Sequence, residues 1–488
     1  MKPYKILIFL LFVLILTLGI ALFFPEKGIN IDNLTLKFHW SFSDIKQKKV
    51  EYADISSIIE ENKQIIFSDS LPQKDTIAQK DSLKYDTIKV NTRVLKKRIR
   101  HIEYPDGDST VLFSFFKKLK HSKKKRVRIL HYGDSQIEGD RITGYLRNKF
   151  QRRFGGSGPG LLPATPGYAE SASIIHSASK NWKTYSIYYK KDSIINPRRF
   201  GVMGSFARFT DYVTDLIIDS SENKKQAWIN FKKSGMAYAS VNRFKKCRVF
   251  YGNCPDNIIV KGFVNDSLIW FENPDKTQAT TIFEWDFLST PKDFKIEFEG
   301  VVSPDVYAIA LDAKAGVAVD NLPFRGSSGT EFSKLNFLQL KQMSGYLNTG
   351  LIILEFGVNV VPYQAKSYKF YERALTREIN YLKKVYNNPA VLVIGVSDMA
   401  HRNGAYFESY SNIDAVKQAQ RNAAKNTGSA FWDLQKAMGG KNSMPGWVFA
   451  SPPLAQKDFT HFNRKGGHII AQMLYNAIID EYSRWNKK

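Results

Sequence analysis

A serine hydroxyl becomes a useful nucleophile only when a base takes its proton, a carboxylate holds that base, and amide donors receive the oxyanion. The 488-residue chain carries candidates for each part at widely separated positions. Ser135 closes the turn Gly133-Asp134-Ser135. Before it lie Val127, Ile129 and Leu130, a short apolar run with β-branched content; after it Ile142, Tyr145, Leu146 and Phe150 recur at helical period. Such a strand-turn-helix junction lifts a serine to the carboxyl edge of a sheet and aims the helix's first amides at an oxyanion. A second copy, Gly107-Asp108-Ser109, has no apolar strand before it and no periodic helix directly after it, and is set aside.

Two Asp-x-x-His pairs compete for the base: Asp458 with His461, and Asp398 with His401. In either, a carboxylate three residues before the imidazole can fix its tautomer, and spacing alone does not choose between them. Two more strand ends carry oxyanion candidates. Gly329, in RGSSGT at 325–330, lets the backbone approach a reacting carbonyl closely. Asn359, in EFGVN at 355–359, offers a side-chain amide just beyond a buried strand. An ordinary turn is the alternative reading at both.

The elements that must position these residues follow from the hydrophobic pattern. Continuous apolar runs such as LIILEFGVN and AVLVIGVS alternate with helical segments from 306 onward, which predicts a parallel sheet covered on both faces. Between the loop GGSGPGLLPATPG and residue 305 the chain changes to short, alternating, aromatic runs separated by turns, among them VTDLIID at 213–219. That pattern predicts an all-β sandwich or jelly roll. The expected division is 1–25 as a membrane anchor, 26–110 as a polar and basic linker, 111–164 with 306–488 as the α/β domain, and 165–305 as the inserted β module. Trp182, Trp228, Trp270 and Trp285 of the insertion either face sugar rings or fill the sandwich core.

Residues 6–24 are an almost unbroken apolar run with Lys2 and Lys5 before it and Pro25 after it, long enough to span a bilayer, with a cleaved signal as the alternative. Either reading exports the body, so the net charge of +25 points to anionic wall polymer or lipid rather than to nucleic acid. Cys247 and Cys254 fit neither a redox pair nor a zinc half-site; one hairpin disulfide or two inert thiols are the choices.

The blocks GDS at 133–135, SSG at 327–329, GVN at 357–359 and DFTH at 458–461, in this order, resemble the SGNH or GDSL family of serine esterases and acyltransferases. The resemblance implies an SGNH-type, flavodoxin-like α/β fold with Ser135 as nucleophile, Asp458 and His461 as acid and base, and Ser135, Gly329 and Asn359 around the oxyanion. It also prefers His461 to His401, and implies no metal or organic cofactor. One departure stands in the third block, where Val360 replaces the usual aspartate. GDSQIEGDRIT followed by a β-rich insertion is similar to exported peptidoglycan O-acetylesterases and O-acetyltransferases. The expectation is therefore an inner-membrane-anchored enzyme with its body in the periplasm, removing acetyl groups from peptidoglycan or another O-acetylated polysaccharide. The alternatives are an O-acetyltransferase served by a membrane-bound acyl-donor partner, and a non-catalytic envelope glycan-binding protein.

Overall fold

Five strands whose side chains are buried on both faces form a parallel sheet in the spatial order Val317–Pro323, Val127–Gly133, Thr349–Glu355, Ala390–Ile394, Ala430–Trp432. Numbered along the chain this is order 2-1-3-4-5, the flavodoxin-like arrangement. Its direction of winding switches between the first and third strands, Val127–Gly133 and Thr349–Glu355, and ligands of such sheets sit beyond the carboxyl ends at that switch. The computed structural model describes residues 3–23, 29–31, 34–36, 50–67, 101–167, 171–189, 195, 198–212 and 223–487. The strand expected at 213–219 lies outside the described residues.

The chain divides into two units, Met1–Glu51 with Asn403–Tyr406, and Tyr52–Arg402 with Phe407–Lys488. The first contains the helix Pro3–Phe23 and an antiparallel pair of short strands, Ile29–Ile31 with Leu34–Leu36. Side chains are described for Tyr4 to Ile20 of that helix, and the leucines, isoleucines and phenylalanines within 4–20 are exposed. Among the described residues no helix is long and apolar enough to cross a membrane.

In the second unit, helices cover both faces of the parallel sheet. Leu146 and Phe150 of Thr143–Phe154, Phe115 and Phe116 of Phe113–Lys120, and Ile470 and Leu474 of Arg464–Trp485 pack on one side against Ile129, Ile353 and Leu392. Ile379 of Lys369–Val385 and Val416 of Ile413–Asn426 pack on the other against Leu130, Ile352 and Val393.

The insertion is a sandwich of two antiparallel sheets, and the strand Asp293–Gly300 shows the period-two burial of a sheet with one buried face. Ile229, Phe231 and Ile296 of one sheet meet Val249, Trp285 and Ile309 of the other. Of the four tryptophans, Trp285 is buried and stacks on Trp270 with centroids 4.2 Å apart, and Trp182 packs edge-on against Phe209 and Phe298. Trp228 is exposed. Cys247 and Cys254 are separate buried thiols.

Two boundaries differ from the sequence reading. Asp305–Asp312, read as parallel-domain strand material from 306, pairs antiparallel with Lys246–Gly252 and with Gly160–Leu162. It is buried on both faces because the second face of its sheet lies against the α/β domain, where Phe250, Tyr307 and Ala310 join Leu322 and Tyr132. The expected linker is also partly folded. Ile55, Ile58 and Ile66 are buried in the α/β core, and Glu103 pairs with Phe431 at the sheet's edge.

A buried ionic cluster joins module and domain. Arg128 donates to Asp320 at 2.5 Å and to Asp312; Arg248 reaches the same Asp312 carboxylate at 3.1 Å and Arg126 reaches it at 3.4 Å. Burial opposes the charge on Asp312, but Arg128, Arg126 and Arg248 outweigh it and hold its carboxyl below the usual range. Removing that carboxylate strands guanidiniums in the interior, so Asp312→Ala is expected to destabilise by about 3–5 kcal/mol in urea denaturation. Because the folded pKa is depressed, this stabilisation is present above the unfolded carboxylate value and is lost as pH falls through the folded one. The two proteins should therefore converge in acid; an unchanged midpoint near neutrality contradicts the account.

Candidate active site

Strand Val127–Gly133 ends where a side chain would not fit. A Cβ on Gly133 would lie 2.9 Å from the Glu355 carbonyl of the neighbouring strand and 3.0 Å from Ile137. The chain then turns sharply. Asp134 accepts from the Gln136 amide at 3.0 Å, and Ser135 begins a 3-10 turn that runs to Asp140. The turn breaks at Glu138 and Gly139, and the helix starts only at Thr143. Contrary to the simple strand-turn-helix expectation, the amides beside Ser135 therefore belong to this turn. As its first residue, Ser135 has no earlier carbonyl in the turn for its own amide.

Ser135 Oγ lies 2.8 Å from His461 Nε2, and His461 Nδ1 lies 2.7 Å from Asp458 Oδ2. The other carboxylate oxygen, Oδ1, accepts the amides of Thr460 and His461, each at 3.0 Å. With Nδ1 donating to the carboxylate, Nε2 is left as the acceptor for the serine proton. Burial disfavours the Asp458 charge, but the His461 side chain and these amides outweigh it and keep its carboxyl below the usual range. The loop bends through Phe459, whose φ of 55° is left-handed and costly for a bulky side chain. Its ring stacks on Phe407 at 3.6 Å between centroids, which holds the bend in place.

The competing pair is not a dyad. Asp398 is buried and accepts from Ser409 Oγ at 2.7 Å, Gln435 Nε2 at 3.2 Å and the Met444 amide at 2.9 Å. His401 faces Glu408 instead, at 3.9 Å. The other Gly-Asp-Ser is a cap, with Asp108 accepting from Thr110 at a 3-10 turn.

The oxyanion candidates meet at Ser327. Asn359 Nδ2 donates to the Ser327 carbonyl and the Gly329 amide donates to Ser327 Oγ, both at 2.9 Å. Ser327 Oγ in turn donates to Glu331. Gly329 has a φ of 81°, and a Cβ there would lie 2.7 Å from the Phe356 ring, so only glycine fits. The Gly357-Val358-Asn359 turn is tied to the serine turn by the Val358 amide, which donates to Asp134 Oδ2 at 3.3 Å. Asn359 keeps a second amide hydrogen, whereas the Gly329 amide must turn from Ser327 Oγ, or share it, to meet an oxyanion.

Two residues that pattern reasoning passed over do much of the positioning. Gln136 is buried; its Oε1 accepts from the Phe462 amide at 3.1 Å, and its Nε2 donates to the Thr460 carbonyl at 2.7 Å and to Ser397 Oγ at 3.3 Å. It therefore clamps both sides of His461 to the residue next to Ser135. Arg141 donates to the Ser135 and Gln136 carbonyls, each at 3.1 Å. Neither residue has a periodicity to read; both lie in the stretch GDSQIEGDRIT that carries the closer resemblance, which gives them no role.

Two glycines let the last helix pack closely, one against Arg141 just after the serine turn and one against Leu454. A Cβ on Gly467 would lie 2.5 Å from the Arg141 carbonyl, and one on Gly466 would lie 2.0 Å from that of Leu454.

A serine turn, a histidine loop and an amide-bearing turn around the switch point of a 2-1-3-4-5 sheet give the chain the fold of the SGNH serine esterases. More particularly, it matches the structure of a peptidoglycan O-acetylesterase over 78% of its own length and 99% of the other chain, with a TM-score of 0.61 and 20% identity. At that identity the likeness is one of fold. A GDSL-like lipase from Parabacteroides merdae matches 33% of this chain and 72% of its own at 15% identity, with a TM-score of 0.26. A salicylyl-acyltransferase from a tetracycline biosynthetic pathway matches 66% and 96% at 11% identity, with a TM-score of 0.28. No family model and no curated protein matches the chain.

If Gln136 acts by holding His461, Gln136→Ala should lower kcat by about 10–10²-fold while KM changes little, since small misplacements of a base cost that much. A merely structural role would lower the melting temperature and leave kcat of the folded fraction intact. Steady-state kinetics on the purified variant separates the two.

Proposed function

We propose that this chain is a serine O-acetylesterase acting on a cell-envelope carbohydrate, peptidoglycan or an exopolysaccharide. The observation that carries the reading is the continuous hydrogen-bonded line from Ser135 through His461 to Asp458 at the carboxyl edge of the sheet. His461 Nε2 takes the Ser135 proton as Oγ attacks the acetyl carbonyl, and Asp458 stabilises the imidazolium that forms. The oxyanion is received by the Ser135 amide and the free hydrogen of Asn359 Nδ2, with the Gly329 amide once it leaves Ser327. Collapse breaks the C–O bond, the sugar oxygen takes the proton from His461, and an acetyl-serine remains. Water, deprotonated by the same imidazole, attacks that ester; the imidazolium returns its proton to Ser135 Oγ as the bond breaks, and acetic acid leaves and ionises to acetate. Atoms and protons balance with groups of this chain and one water.

Hydrolysis is favoured over transfer to a second sugar because the base is open to solvent. The side chains of His461 and Asp458 are 24% and 45% exposed, so water has a route to the acyl-enzyme. The apolar segment 6–24 would hold the enzyme at the inner membrane with its body in the periplasm, where such polymers lie.

Ser135→Ala should reduce acetate release from p-nitrophenyl acetate by about 10⁴-fold or more relative to wild type. Equal rates in the two proteins would remove the catalytic reading. With O-acetylated peptidoglycan and an added oligosaccharide acceptor, acetate is the expected product. Acetylated acceptor seen by mass spectrometry would convert the reading to a transferase.

A further inference from the structure

A cavity lies at the other end of the parallel sheet. Strand Val127–Gly133 is seven residues long, so its amino-terminal edge lies about 20 Å from the serine turn at about 3.3 Å per residue. At that edge is a cavity of about 430 Å³ lined by Lys118, Lys124, Lys125, Arg126 and Lys314, with no carboxylate among its lining residues. The remaining walls come chiefly from neutral hydrogen-bonding groups, including Asn348, Thr349 and Asn387. Thr349 is only 4% exposed, and its hydroxyl has no hydrogen-bond partner among the described residues. A donor buried at a cationic cavity without an acceptor is a cost that a ligand oxygen would relieve.

The existing partners do not neutralise this cluster. Arg126 shares Asp312 with two other arginines, and Lys314 pairs with Asp286 at 2.7 Å. Lys118 donates to the Thr349 carbonyl at 2.7 Å, which carries no net charge. Lys124 and Lys125 have no ion-pair partner among the described residues. The carbonyl end of helix Phe337–Gly345 also reaches the cavity through Ser344 and Gly345, but a helix end amounts to about half a negative charge against the three lysines that have no ion pair among the described residues. Burial and the nearby Lys125 both push the Lys118 ammonium down from its ordinary value, as expected where like charges crowd without an anion.

We propose that this cavity is a binding site for a phosphate-bearing ligand, held by Lys118, Lys124, Lys125 and Arg126 with the Thr349 hydroxyl as an added donor. The class follows from charge and geometry. Lysines act on phosphate as point charges, and so many cations without a carboxylate suit a group of charge −2 or more better than a single carboxylate. A volume of this size admits a phosphate or diphosphate with part of an attached group. The site stands on residues outside the catalytic turn and does not depend on the esterase reading.

Isothermal titration of the full-length protein in detergent micelles with inorganic pyrophosphate should show saturable binding of one ligand per chain. In Lys124→Glu/Lys125→Glu binding should weaken about tenfold or more, equivalent to one charge-assisted hydrogen bond or more, with an unchanged melting temperature as the control for folding. A second arm with dihexanoyl phosphatidic acid separates sources: tighter binding than pyrophosphate supports a lipid headgroup, and weaker binding supports a soluble phosphate. No saturable binding, equal binding by the folded variant, or citrate binding as tightly as pyrophosphate would overturn the assignment.

Discussion

Ser135 Oγ and His461 Nε2 are 326 residues apart in the chain and 2.8 Å apart in the fold. A proton moves between them only if both loops are held to within a few tenths of an ångström. Much of the surrounding structure serves that requirement. Parallel strands in the order 2-1-3-4-5 bring the ends of Val127–Gly133 and Thr349–Glu355 side by side, and Gly133 lets the two backbones approach closely enough for the serine turn to form there. Gln136 then binds both neighbours of His461. Gly467 lets the closing helix sit against Arg141, directly after the turn.

The β module is joined to the sheet by charge as well as by apolar packing. Arg128 belongs to the strand that delivers Ser135, and its partners are Asp320 on the next strand and Asp312 on the module. Asp320 Oδ1 also accepts the Leu161 amide at 2.8 Å, which fixes the point where the chain passes into the insertion. A buried cluster of this kind adds little net stability but allows one registration of module on domain, because every other placement strands a charge. The insertion is thus part of the catalytic body's own interior, and three of its four tryptophans pack in or against the sandwich core instead of facing outward.

The residues at strand ends were the legible part. Ser135, Asp458, His461, Gly329 and Asn359 each follow a recognisable apolar run or precede a periodic helix, and the structure links them by hydrogen bonds into two groups joined through Asp134 and Val358. Choosing between Asp458 and Asp398 needed more than spacing, since what separates them is burial and partners: Asp398 is consumed by Ser409, Gln435 and Met444. The boundary at 306 was misplaced for a physical reason. Asp305–Asp312 is an antiparallel strand buried on both faces, so its continuous apolar run reads like a parallel strand. Gln136 and the Ser327 link to Gly329 were not legible, because single polar contacts across distant loops leave no period in a sequence.

The central claim is that Ser135 carries the acetyl group between two half-reactions. Its direct measurement is peptide mapping by mass spectrometry after rapid mixing with p-nitrophenyl acetate and acid quench. The account expects one acetyl group on the peptide containing Ser135, formed in a burst and gone once substrate is exhausted. Acetate release without acetylation of that peptide, or acetylation elsewhere in its place, would contradict it.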